Sequence, residues 1–146
     1  MATRDADDET MALVDEVDPG QRLTGVLHCF DGGRRLAEWG VARGLLVSFS
    51  GILTHGRSDG LREIARNLPL SSLLVETDAP YLSPEPVRKR RRNEPANIVH
   101  TLAMLADLHG ETPDALAEKT TDNFNALFRR RTWPQGGGPG GNHETH

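Results

Sequence analysis

The chain has 146 residues, a hydrophobic fraction of 36%, a formal net charge of −4 and a single cysteine. This length is typical of one domain, a lone cysteine excludes an internal disulfide, and no apolar run approaches the ~20 residues that span a bilayer. The composition therefore predicts a soluble, cytoplasmic protein of a reducing compartment.

Helices and apolar strands alternate along the chain. Strands are predicted at three apolar runs, namely residues 23–30, 45–53 and 73–77. Helices are predicted by apolar spacing and capping residues over 5–17, 34–43 and 58–68, then after caps at Asn93 and Thr112, with Phe124 facing the core. This order predicts an α/β fold of parallel strands joined by crossovers. Residues 1–131 form the predicted domain, and the Gly-rich residues 132–146 are predicted to be a disordered tail.

Charge is segregated along the sequence. Residues 4–18 hold seven acidic side chains against one base. Residues 88–92 are five consecutive bases, Arg88, Lys89, Arg90, Arg91 and Arg92. Runs of this kind are usually solvated surface, and that interpretation is favoured for both. A phosphate-binding role for the basic run stays open, because overall acidity does not exclude a local basic patch.

Polar side chains stand where the predicted strands end. His28 lies near the end of the first strand, Ser50 lies near the end of the second, and Glu76 and Asp78 lie where the third runs out. In parallel α/β sheets the carboxyl ends of the strands carry the ligand site, so His28 and Asp78 are predicted to lie close together at one end of the strands. Each residue also has a purely structural interpretation. His28 would be a hydrogen-bonded core histidine and Ser50 an ordinary strand-end hydroxyl. Glu76 would be paired in the wall of the sheet, and Asp78 would form a turn. His55, in the following loop, is predicted to lie at the surface.

Four motifs in order carry a family resemblance. They are GVLHCF (25–30), LLVSFSGILT (45–54), LLVETDAPYLSP (73–84) and RRNEPANI (91–98). With these motifs the chain resembles the TatD family of metal-dependent deoxyribonucleases over about residues 3–129. The resemblance implies the C-terminal portion of a TIM-like (β/α) barrel of the metal-dependent hydrolase type, with three parallel strands and an incomplete barrel.

The resemblance also implies site chemistry. His28 would hold one of two divalent ions, of magnesium, manganese or zinc. Asp78 would bind the other ion and, as the catalytic base, take a proton from the attacking water. The substrate would be DNA, cleaved at a phosphodiester bond, with Arg88 to Arg92 as candidate nucleic-acid contacts.

Departures from the family pattern temper that expectation. The family's HxH motif and mid-chain Glu are absent, Ala2 stands where a further His is usual, and Asp31 replaces a Ser or Thr. Three interpretations follow: a truncated, impaired hydrolase, with a separate N-terminal half-barrel chain as a conceivable partner; a non-catalytic nucleic-acid-binding remnant; or an inert decay product. The first is favoured, and the isolated chain is expected to bind divalent ions weakly.

Overall fold

The computed structural model describes residues 2–89 and 92–129, in which helices and strands alternate. The strands are β1 (Val26–Leu27), β2 (Leu46–Phe49) and β3 (Leu73–Val75). The helices are α1 (Ala2–Val17), α2 (Arg34–Ala42), α3 (Asp59–Asn67), α4 (Ile98–His109) and α5 (Pro113–Arg129). The predicted α/β class is confirmed. The predicted tail and the far end of the predicted domain, residues 130–146, lie outside the described residues.

The three strands form one parallel sheet in the order β1-β2-β3. Val26 pairs with Leu46, and Val47 pairs with Leu73. Within the described residues the sheet does not close. The ladder of β1 is much shorter than the predicted strand, because β1 pairs here with β2 alone and the chain turns directly after Leu27.

One face of the sheet packs against helices and forms the core. Side-chain alternation places Val47, Phe49 and Leu73 on this face, and all three are fully buried. Leu105 of α4 and Leu116 of α5 are buried with them. Burying an aliphatic or aromatic side chain of this size stabilises a fold by roughly 1.5–3 kcal/mol. The opposite face, which carries Ser48 and Leu74, borders the candidate site.

Of the two predicted helix caps, the one at Thr112 is present and the one at Asn93 is not. Thr112 accepts a hydrogen bond from the Ala115 amide at 3.2 Å and so caps α5 as predicted. Asn93 does not cap α4, which begins at Ile98. Its side chain is buried and donates instead to the Tyr81 carbonyl at 2.7 Å. The asparagine therefore ties the RNEP segment to the loop after β3.

Three acids of the N-terminal run form ion pairs with arginines of α2 or directly after it. Asp8 pairs with Arg35 at 2.7 Å, and Asp15 and Asp18 both pair with Arg43, whose side chain is 6% exposed. Exposed ion pairs contribute little, but a buried guanidinium needs its acceptors. Asp8 and Asp15 are still more than half exposed, as the solvated-surface interpretation expects, and the interpretation fails only for the buried Asp18.

No helix in the described segments is long and apolar enough to cross a membrane.

Candidate metal centre

The carboxyl ends of the three strands meet at one edge of the sheet. His28 directly follows β1, and Glu76 and Asp78 follow β3. One ring nitrogen of His28 and one carboxylate oxygen each of Glu76 and Asp78 lie within 4.8 Å of one another. The prediction that His28 and Asp78 lie close together at one end of the strands is confirmed. Their roles as ligands and catalytic base stay predictions.

Glu76 is the unexpected member of the group. Its Oε1 lies 3.1 Å from Nε2 of His28, a separation typical of an ion pair. The same Oε1 is buried and has no hydrogen-bond partner, so the ring N–H is not aligned with it. Even at 3.1 Å, a misaligned N–H satisfies an acceptor poorly. A carboxylate oxygen left in this state is costly, and a bound cation would remove the cost.

The donor set fits a divalent ion. Imidazole nitrogen and carboxylate oxygens are ligands of zinc, manganese and magnesium. Two neighbouring ligand atoms that each bind one ion at about 2.0–2.2 Å lie about 2.8–3.6 Å apart, the lower values for octahedral and the higher for tetrahedral geometry. The 3.1 Å between His28 and Glu76 matches that spacing. Among residues 2–89 and 92–129 this is the one cluster of its kind, so the second expected ion has no cluster of its own there.

Cys29 also contacts the group. Its thiol donates a hydrogen bond to Oδ2 of Asp78, and its sulfur lies 3.5 Å from Oγ of Ser50. Burial, followed by the hydrogen bond to Asp78, raises the pKa of the Cys29 thiol to about 11. The thiol is therefore protonated at neutral pH and serves as a donor rather than as a nucleophile. In the sequence, only its position next to His28 pointed to Cys29 as a residue of the site.

The segment after Asp78 is held against the end of β2. A Cβ on Gly51 would lie 2.1 Å from the Leu82 carbonyl oxygen, so only glycine fits there without a shift. Nε2 of His55 lies 3.0 Å from the Ser83 carbonyl oxygen, and the Glu85 amide donates to Oγ1 of Thr54 at 2.8 Å. His55 is half-buried rather than freely exposed, and its ring anchors this segment.

An apolar cavity of about 460 Å³ borders His28 and Glu76. Phe124 and Phe128 of α5 line it, and their ring centroids lie 4.4 Å apart. Phe124 was predicted to face the core, but it is 50% exposed. The helical spacing correctly predicted an apolar face of α5. That face lines the open cavity instead of packing in the core.

The basic run is only partly described. The side chains of Arg88, Lys89 and Arg92 are exposed, and Arg88 lies 3.7 Å from Glu85. Arg90 and Arg91 lie outside the described residues. Exposure is compatible with either a solvated loop or a phosphate contact, so the predicted nucleic-acid role stays a prediction.

Sequence comparison finds relatives for nearly the whole described chain. The profile of the family "TatD related DNase" matches residues 2–129. The metal-dependent hydrolase YcfH of Escherichia coli K12 is 43% identical over 129 residues, which are 86% of this chain and 47% of YcfH. A protein of Citrobacter koseri named 3′-5′ ssDNA/RNA exonuclease TatD is 41% identical over 134 residues, which are 88% of this chain and 50% of that protein.

Solved structures give the same result. YJJV, a TatD homolog of Escherichia coli K12, matches with a TM-score of 0.74 and 31% identity over 84% of this chain and 46% of that chain. A TatD family hydrolase of Entamoeba histolytica matches with a TM-score of 0.70 at 22% identity, over 82% and 47%, and shows the fold alone. The predicted TIM-barrel type is confirmed by these neighbours.

The chain spans about half the length of the curated relatives that it matches. In those relatives the unmatched half belongs to the same polypeptide. The idea of a separate N-terminal half-barrel chain as partner therefore has no support.

Proposed function

The chain belongs to the TatD related DNase family, and from that membership we propose that it takes part in metal-dependent hydrolysis of phosphodiester bonds in nucleic acid. One observation carries the proposal. His28, Glu76 and Asp78 converge within 4.8 Å, and a buried carboxylate oxygen among them lacks a partner. The name of the Citrobacter relative, a 3′-5′ ssDNA/RNA exonuclease, makes single-stranded nucleic acid the substrate to test.

Each side chain has a proposed part in the reaction. His28 and Asp78 would hold a divalent ion, and Glu76 offers a third ligand oxygen. When bound, such an ion lowers the pKa of a coordinated water and offsets phosphate charge. Asp78 is proposed as the general base that accepts the proton of the attacking water, since its carboxylate stands at the mouth of the sheet. The cavity beside His28 would receive an apolar part of the substrate, such as a base.

The basic run is proposed to attract the phosphate backbone. It follows the strand that leads to Asp78, and its described side chains are exposed. Cations of this kind bind phosphates without regard to base sequence, and their contribution falls as salt rises. Replacing Arg88, Lys89, Arg90, Arg91 and Arg92 together with alanine should therefore flatten the salt dependence of single-stranded DNA binding, while Asp78→Asn should leave it unchanged.

Cleavage of an end-labelled single-stranded oligonucleotide in the presence of Mn²⁺ tests the function. Turnover should be slow, because the described residues supply one ion cluster. Asp78→Asn should lower the rate by about 100-fold or more, since a general base contributes about 10²–10⁴-fold. Glu63→Gln is the matched control, because Glu63 lies on α3 and pairs with Arg34 at 2.8 Å. Cleavage that survives both a chelator and Asp78→Asn would contradict the proposal. DNA binding without any cleavage would favour the non-catalytic alternative.

A further inference from the structure

The backbone leaves the extended conformation of β1 at Cys29. In a continuing strand Cys29 would point away from the face that carries His28, because successive side chains alternate. The φ angle of Cys29 is instead +47°, in the left-handed region that non-glycine residues rarely adopt. This turn directs the thiol to the same side as His28. An outlier of this kind beside a candidate site is a reason to look for a function that maintains it.

The turned thiol connects the ends of all three strands. It belongs to the turn after β1, donates to Oδ2 of Asp78 after β3, and lies 3.5 Å from Oγ of Ser50 directly after β2. Ser50 is 3% exposed, so the hydroxyl that contacts the Cys29 sulfur is held in a buried position. In the part of the chain that the structure describes, no other side chain donates a hydrogen bond to the Asp78 carboxylate. The orientation of that carboxylate therefore depends on Cys29.

We propose that Cys29 is a positioning residue for Asp78, a role that rests on the proposed function. By holding Oδ2, the thiol restricts rotation of the carboxylate and leaves the remaining lone pairs for the ion and for the proton of water. Groups that orient a metal ligand in this way commonly raise metal affinity, since the ligand is ordered before the ion arrives. The neutral thiol suits the role because it donates a hydrogen bond without adding charge to an acidic site.

Two variants separate the hydrogen bond from packing. Cys29→Ala removes the donor, and Cys29→Ser replaces it with a hydroxyl. Both residues keep the Cβ, so the left-handed backbone is equally strained in each. Calorimetric titration with Mn²⁺ should show affinity about 10- to 100-fold weaker for Cys29→Ala, the usual cost of losing an orienting group. Cys29→Ser should regain most of that loss, and thermal melts of the metal-free variants should confirm that both fold.

A spectroscopic readout checks the contact without metal. The chain has one cysteine, so its S–H stretching band in the infrared is unambiguous. In the metal-free wild type this band should have the position of a strongly hydrogen-bonded thiol, and Asp78→Ala should move it to the position of a weakly bonded one.

Mn²⁺ affinity in Cys29→Ala equal to that of wild type would overturn the positioning role while leaving the proposed function standing. Equal losses in Cys29→Ala and Cys29→Ser would also overturn it, because the donor would then not be the cause. An S–H band unmoved by Asp78→Ala would exclude the contact itself. A wild-type chain that binds no Mn²⁺ would overturn the proposed metal site, and the positioning role with it.

Discussion

Replacing Gly51 with alanine should destabilise the fold and displace the segment that follows Asp78. The new Cβ would lie 2.1 Å from the Leu82 carbonyl oxygen and 3.0 Å from the Pro84 nitrogen. Ordinary contact begins at 3.4 Å, so the Leu82 carbonyl must retreat by about 1.3 Å, the difference of 3.4 and 2.1. Both neighbours are backbone atoms, which cannot swing aside as a side chain would.

Overpacking of this kind costs about 1–3 kcal/mol, which for a domain of this size lowers Tm by roughly 3–15 °C. Thermal unfolding followed by circular dichroism measures the effect. Gly60→Ala is the matched control, because a Cβ there meets nothing within 4 Å and Gly60 lies in α3. That variant should gain about 0.5–1 kcal/mol, the usual helix preference for alanine over glycine. A Gly51→Ala protein that melts at or above the wild-type temperature would refute the close approach.

Three further predictions concern the scaffold. The pKa of Asp18 is lowered, chiefly by the hydrogen bond from the Leu23 amide. The ionised carboxylate therefore stabilises the fold fully above the unfolded-state pKa of about 4. This stabilisation is lost as pH falls through the lower pKa of the folded state. Urea titrations should show Asp18→Asn less stable than wild type at pH 7, with a smaller difference near pH 3; a constant difference would argue against this origin. Thr112→Ala should cost about 1 kcal/mol in urea unfolding by removing the cap of α5, and no loss would exclude the cap. Leu105→Ala should cost about 2–5 kcal/mol in the same assay, because the side chain is fully buried. Val99→Ala on the same helix is the control, since Val99 is 55% exposed and should stay within about 0.5 kcal/mol.

The sequence was most informative where one physical rule applied along a whole element. Buried parallel strands are apolar on both faces, so all three were located, although β1 is far shorter than its apolar run. The carboxyl ends of parallel strands meet at one edge, so the proximity of His28 and Asp78 followed from their places in the chain. Helical periodicity located α3 to within a residue at each end.

Prediction failed where a side chain had several possible partners. Asn93 is a good capping residue, yet its amide donates to the Tyr81 carbonyl, a partner that only the tertiary fold supplies. Phe124 sits on an apolar helical face, but periodicity cannot tell a core from an open cavity. Cys29 was missed because strand alternation assigns it to the other face, and no local pattern announces a φ of +47°.

The position of a bound ion tests the central claim most directly. Crystals of the protein soaked in Mn²⁺ would give an anomalous difference map that locates the metal without reference to activity. We predict a peak within bonding distance of Nε2 of His28 and of a carboxylate oxygen of Asp78, with Oε1 of Glu76 beside it, and no such peak in Asp78→Asn. A map with no peak among these three side chains, or with the same peak in Asp78→Asn, would contradict the account.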